Sequence, residues 1–366
     1  LYSQSFYNSA IGVSPNSFTA RSSALGSSTS LTDRTPLGFY INPANISNDI
    51  KNGLSISCGY IGNFNFERRS IIVKDFFGDY LTESDYVSNS IYSNYFPVGL
   101  KYSQKFNTFK ISLAASSIPY SIYDYRYEEE VRGSLPSSDG EIFSRDPLVG
   151  YHIFEMKGSQ RLISIGPSFQ IDLLNDLVVS MGLSYNYFEE SEINEKLSVE
   201  ELLENSMQLS SLTSYNISYK LDESDFLTIG SSIRKNNIIF NFSFQSKAVI
   251  HKKINVEDLL VLYENRFSTI SLYGENEVGI NYFEDYLIFK TSHIEKPIRY
   301  NFSLGILDKD NDGFSFIIHY DRNKYSNTYF LNSTDRLSIG LEHFTFNGIP
   351  IRFGLEHKTS LFKLLS

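Results

Sequence analysis

Apolar and polar residues alternate along this chain in runs too long for an ordinary globular strand. Leu54, Ile56, Cys58, Tyr60, Phe64 and Phe66 fall on one face, and Ser55, Ser57, Gly59, Asn63, Asn65 and Glu67 on the other. Successive strand side chains point to opposite faces, so a period of two reads as a strand. The run has about a dozen residues where five or six are common, and a tilted strand needs about 9–11 to cross a bilayer. The pattern recurs at Ile163–Asp172, Val179–Tyr187, Tyr215–Leu221, Phe240–Gln245, Arg299–Ile306 and Ile349–Glu356.

The rest of the composition agrees with an all-β fold. Tyr (26) and Phe (29) supply every aromatic ring, and Trp is absent. Aromatic residues favour strands, while the abundant Ser, Asn and Gly favour turns and small polar faces. With 366 residues, the chain can bury a large core without a staple. Cys58 is the single cysteine, which excludes an intrachain disulfide and a cysteine-based zinc cluster. The formal net charge of −10 argues against nucleic acid as a partner. No stretch approaches ~18 consecutive apolar residues, so no membrane-spanning helix is expected, whereas a membrane barrel is compatible with alternation. The chain opens at Leu1 without a basic-plus-apolar leader, as expected if a signal peptide has been removed or the numbering begins inside a longer chain.

Two regions are expected. Residues 1–50 are rich in small polar residues, show no sustained period and read as a compact irregular segment. Residues 51–366 carry the strands. Phe106-Asn107-Thr108, Leu174-Asn175-Asp176 and Asp222-Glu223-Ser224-Asp225 read as tight turns, and the polar stretches 68–95, 128–158 and 188–208 as long loops. Short turns alternating with long loops favour an outer-membrane barrel over a soluble β-protein. Two helices are expected in loops. Ser198 and Glu201 form a capping box before Leu202, Leu203 and Met207, and Asn255 caps Val256 to Glu264.

Catalytic signatures are sparse. There is no G-x-S-x-G, no H-E-x-x-H and no phosphate-cradling glycine loop, and the six histidines (152, 251, 293, 319, 343 and 357) are scattered. No enzyme activity and no cofactor is expected. Asp308, Asp310 and Asp312, followed by Gly313, have the spacing of a Ca²⁺ loop, but His319 replaces the closing Glu. A polar hairpin turn accounts for the same residues. The acidic runs Glu128-Glu129-Glu130 and Glu189-Glu190 read as a solvated rim or a cation bridge to anionic lipid. The aromatic groups Tyr120, Tyr123, Tyr125 and Tyr127, and Tyr92, Tyr95 and Phe96, read as interfacial belts, with ligand stacking as the other reading.

Ala20-Arg21-Ser22-Ser23-Ala24-Leu25-Gly26-Ser27, then Thr32-Asp33 and Asn42-Pro43-Ala44, resemble the opening of FadL-type outer-membrane barrels and of the PorV/PorQ group. Ser27 replaces the second glycine of that pattern. Near the other end, Lys296-Pro297-Ile298-Arg299 through Leu304-Gly305, and Leu337 to Glu342 followed by Ile349-Pro350-Ile351-Arg352-Phe353-Gly354, are similar to strands of the same group. The middle matches only as alternating strands. The resemblance implies a bacterial outer-membrane antiparallel β-barrel of about 14 strands with an N-terminal luminal hatch. Hatch residues would be Arg21, Gly26, Asp33, Asn42, Pro43 and Ala44, with Arg21 and Asp33 as anchors to the wall. Against that family the sequence is expected either to lack C-terminal strands or to close unusually. The implied function is passive uptake or binding of a hydrophobic small molecule. The alternatives are an accessory barrel of the type IX secretion system, binding a translocon or cargo, and a structural barrel. Outer-membrane lipids are expected partners in each case.

Overall fold

The structure, a computed structural model, describes residues 10–15, 17–48, 52–74, 77, 79–132, 148–173, 176–202, 214–254, 293–307, 314–326, 330–344 and 349–363. The alternating segments are strands. They begin with β1 (Gly53–Cys58), β2 (Ile61–Lys74), β3 (Tyr80–Tyr95), β4 (Val98–Phe106), β5 (Phe109–Ile122) and β6 (Tyr125–Arg132). β7 (Leu148–Lys157), β8 (Ser159–Asp172), β9 (Leu177–Phe188), β10 (Ser191–Glu201), β11 (Tyr215–Leu221) and β12 (Ser224–Lys235) follow. The last are β13 (Ile238–Gln245), β14 (Ala248–Lys253), β15 (His293–Lys296), β16 (Ile298–Ile306), β17 (Phe314–Lys324), β18 (Thr334–Phe344) and β19 (Pro350–Lys358).

All the pairings are antiparallel, so the fold is all-β. A wide sheet of 11 strands runs β1-β4-β5-β8-β9-β12-β13-β16-β17-β18-β19, and a narrow sheet of 8 runs β15-β14-β11-β10-β7-β6-β3-β2. Each narrow-sheet strand continues a wide-sheet strand across a one- or two-residue break. The breaks include Gly59–Tyr60, Phe96–Pro97, Gly158, Asp222–Glu223 and Pro297. Proline has no N–H to give the ladder, and Gly158 has φ +149, a conformation that L side chains rarely adopt. Backbone bonds bridge the break, including Gly59 N–H to Pro97 O at 2.9 Å and Asp222 N–H to His251 O at 2.9 Å. The wall is therefore one set of long strands, bent at one level.

Over β10 and β11 the narrow sheet reverses the polarity of the wide sheet, whereas β2 and β3 keep Phe64, Phe66 and Tyr92 exposed on their outer face. On the wide sheet Leu54, Ile56, Leu113, Ile165, Phe169, Met181, Leu183, Ile229, Leu304 and Phe353 point outward and are exposed. Ser112, Ser164, Ser180, Ser184, Asn186, Asn241, Ser243, Asn301, His319 and Asp321 point inward and are buried. On the narrow sheet Glu192, Asn194 and Lys196 of β10, and Asn216, Ser218 and Lys220 of β11, face out. Ile193, Ile217, Tyr219 and Leu221 face in and are buried. A water-soluble sheet buries its apolar face, whereas a barrel wall in lipid reverses that rule. Where β9 passes into β10 and β12 into β11, the outer face changes from apolar to polar at the break, while from β1 into β2 it stays apolar.

The N-terminal segment lies against the inner face of the wide sheet. It contains α1 (Ala20–Ala24), α2 (Thr29–Thr32) and 3-10 turns over Pro36–Gly38 and Pro43–Asn48. Thr19 caps α1 by accepting from Ser22 N–H. Pro36 packs on Gly99 of β4, and Gly26 packs on Gly354 of β19, so one short segment reaches both flanks of the sheet. Among the described residues β1 and β19 are each paired on one side only.

Several local expectations are overturned. Asp222–Asp225 is not a turn: β11 and β12 run on through it, opposite β10 and β9. Ser198 and Glu201 lie in strand β10, not at a helix start. The described residues of the polar stretches 68–95, 128–158 and 188–208 are largely strand, carrying β2, β3, β6, β7 and β10. Glu128–Glu130 lie in β6 rather than in a loop. Tyr123 and Tyr125 point into the interior rather than into an outer belt. One physical cause underlies these differences. Strands that continue beyond the lipid carry polar residues on their outer face, and a polar outer face looks like a loop. The candidate helix at 256–264 and the Ca²⁺ candidates Asp308, Asp310 and Asp312 lie outside the described residues.

Candidate functional site

Two layers make up the interior. The deeper one joins the N-terminal segment to the wide sheet through polar groups. Arg21 Nε and Nη2 donate to the two carboxylate oxygens of Glu342 at 3.1 and 2.5 Å, and Arg352 Nε donates to the same carboxylate at 2.7 Å. Such two-point pairing fixes orientation as well as charge. Gly26 has φ +69, and a Cβ there would lie 2.7 Å from the carbonyl oxygen of Leu355. Asn42 Nδ2 donates to Ser30 O at 3.2 Å, and its Oδ1 accepts from Ala44 N–H. A Cβ on Gly230 would meet Asn42 Oδ1 at 2.1 Å, so this contact requires a glycine in the wall. Pro43 and Ala44 lie against Gly182, and Ser168 Oγ donates to Ala44 O.

Asp33 stands apart from that group. Its Oδ1 accepts from Thr35 N–H at 2.8 Å and Thr35 Oγ1 at 2.6 Å, while Oδ2 is buried without a hydrogen-bond partner. Burial pushes its pKa up to about 6, against the hydrogen bonds from Thr35 and the charges of Arg21 and Lys101. It makes no direct bond to the wall; the neighbouring Arg34 does so, its carbonyl accepting from Lys101 Nζ at 3.3 Å.

Sequence reasoning missed the other half of these contacts. Ser30 touches Ser303 and His319, and Asn45 Nδ2 donates to Ser30 O at 2.5 Å. Asn241 Nδ2 donates to Ser30 O and to Asn45 Oδ1, and Asn48 bonds Ser232 and Ser180. The available signal was the row of Ser and Asn at alternate strand positions, which only gains meaning once a polar segment faces it.

A Ser–His–Asp sequence of contacts occurs here. Ser303 Oγ lies 2.7 Å from His319 Nδ1, and His319 Nε2 lies 3.5 Å from Asp321 Oδ2. Arg299 and Arg336 both hold Asp321, Ser30 covers the serine, and His319 is 0% exposed. The set is an internal network in a closed place, not an accessible nucleophile.

The shallower layer is apolar. Ile91, Tyr125, Phe154, Met156, Ile193, Ile217, Tyr219, Ile250 and Ile294 of the narrow sheet pack together with Phe18, Leu37, Tyr40 and Ile41 of the N-terminal segment. The segment thus meets polar wall below and apolar wall above. Among the described residues an acid lies in the apolar layer: Glu195 is fully buried and accepts from Tyr219 Oη at 3.1 Å.

No family model matches the chain, and no curated protein sequence does. Among solved structures, the chain is similar to one titled "CymD monoaromatic hydrocarbon channel", at 11% identity and a TM-score of 0.40 over 95% of this chain and 92% of that one.

Proposed function

We propose that the chain is a bacterial outer-membrane barrel that admits an apolar small molecule, with the N-terminal segment as its plug. The observation that carries this reading is the double reversal of polarity at the strand breaks. Below the break the outer face suits lipid and the inner face is polar and filled. Above it, over β10 and β11, the outer face suits water and the inner face is apolar. An apolar solute arriving from water gains about 25 cal/mol per Å² of its surface on entering such an interior. Passage further requires the plug to shift, because Arg21, Ser30, Asn42, Asn45 and Asn48 bond the wall directly or through one another.

The test is the initial rate of uptake of a radiolabelled neutral apolar probe, such as toluene, by Gram-negative cells with and without the protein. Faster uptake with the protein is expected. Equal rates, together with co-purification of a secretion translocon or its cargo, would replace transport by an accessory role.

A further inference from the structure

Where the two layers meet, positive charge exceeds what the nearby carboxylates balance. Lys296 closes β15 immediately before the Pro297 break and is 3% exposed. Its Nζ donates to Ser246 O at 2.8 Å and Pro297 O at 3.0 Å, and sits 4.1 Å from the centre of the Phe226 ring. No carboxylate pairs with it among the described residues. Arg299, three positions on, shares the carboxylate of Asp321 with Arg336, which also reaches Glu356 at 3.8 Å, and Arg299 Nε is buried with no hydrogen-bond partner. Tyr40 of the N-terminal segment and Tyr120 of β5 lie within electrostatic range of Arg299. Among the described residues neither phenol hydroxyl makes a hydrogen bond.

Rings surround these groups. Tyr40 meets Phe18 edge-on at 5.9 Å and Tyr120 at 6.3 Å, Tyr120 meets Phe188 at 4.9 Å, and Phe188 meets Phe226 at 5.5 Å. Buried cations without matching anions are costly in a low-dielectric interior. A lysine without a carboxylate and an arginine with a free Nε–H, beside two free phenols, together offer donors to a carboxylate, and edge-on rings favour a flat aromatic body.

From this juxtaposition we infer that Lys296, Arg299, Tyr40 and Tyr120 form a binding site for a small aromatic carboxylate at the floor of the apolar layer. The inference rests on the transport reading and narrows its substrate class. The ligand's ring lies among Phe18, Phe188 and Phe226, and its carboxylate takes the free Arg299 Nε–H and the Lys296 ammonium.

The full chain in nanodiscs is tested by equilibrium dialysis with benzoate, benzamide, octanoate and toluene, with empty nanodiscs as the blank. Benzoate is expected to bind at least tenfold more tightly than its neutral isostere benzamide, and more tightly than octanoate. Lys296→Met should weaken benzoate at least tenfold and leave toluene unchanged, and Lys296→Arg should restore much of the loss. Tyr120→Phe, a variant that keeps the ring packing, should weaken benzoate about threefold if Lys296→Met does not fold. Equal binding of benzoate and benzamide, octanoate binding as tightly as benzoate, or benzoate binding insensitive to both substitutions overturns the inference. Toluene binding without benzoate binding sinks this site alone, whereas failure of every probe sinks the transport reading with it.

Discussion

Asp33 couples the seating of the N-terminal segment to pH. Its folded pKa of about 6 lies above the free value of 3.8, so the docked segment favours the protonated acid. The docking penalty is absent below the free value, grows as pH rises between the two, and is complete above about pH 6. At about 1.36 kcal/mol per unit, the cost at neutral pH is on the order of 3 kcal/mol. Asp33→Asn keeps an acceptor for Thr35 and removes the ionisation. Trypsin cleavage after Arg21 or Arg34 should therefore be faster at pH 7.5 than at pH 5 in the parent and nearly pH-independent in Asp33→Asn, after correction for the enzyme's own pH profile. An identical pH ratio in both proteins would mean that Asp33 is not the titrating group. Cys58 offers a second test at this scale. It is the one cysteine, and it points outward from β1 in line with Leu54 and Ile56. A bilayer-soluble maleimide should label it in vesicles while a charged, water-soluble one should not. Quenching of the attached fluorophore by brominated lipid would place that face in the membrane.

The strand is the scale at which the sequence was most legible, and also where it misled. Alternation located β1, β8, β9, β13, β16 and β19 of the wide sheet, because an apolar surrounding on one side and a polar filling on the other demand opposite side chains at successive positions. It could not say which face was which. The run Tyr215, Ile217, Tyr219 and Leu221 has the same period as Phe240, Phe242 and Phe244, yet Tyr219 and Leu221 point inward and Phe240 outward. What differs is the sheet to which the strand belongs and what its inner face meets, which no local pattern encodes. The opening motif pointed to Arg21 and Asn42, but the wall residues they meet, Glu342 and Gly230, are set by pairing across the whole fold. The reversal of polarity predicts paired outcomes. Met181→Arg places a charge on the outer face of β9 and should cost about 2–4 kcal/mol in vesicle unfolding if that position is near the bilayer centre. Asn194→Arg, on the outer face of β10, should change stability by less than about 0.5 kcal/mol, as exposed substitutions usually do. Equal costs would remove the break as the membrane boundary.

At the scale of the molecule, the N-terminal segment is both core and obstacle. A sheet with buried polar residues on one face needs something polar to satisfy them, since buried polar groups without partners are costly. The segment supplies backbone carbonyls, Asn amides and Ser hydroxyls along most of the width of the sheet. The wall, in turn, holds the segment by many weak bonds rather than by a few covalent ones, a form of attachment that can be released in part. Ser30 and Ser303 touch through their hydroxyls, one on the segment and one on β16. In a Cys58→Ser background, Ser30→Cys with Ser303→Cys should form a disulfide that fixes the segment to the wall without changing the sheet. Oxidised cells should lose the accelerated uptake of toluene, and reduction should restore it, while equilibrium binding of toluene to the apolar layer stays the same in both states. If uptake persists with the bridge demonstrably closed, solute does not pass the segment, and the route must leave the interior above it, through the wall at the level of the strand breaks.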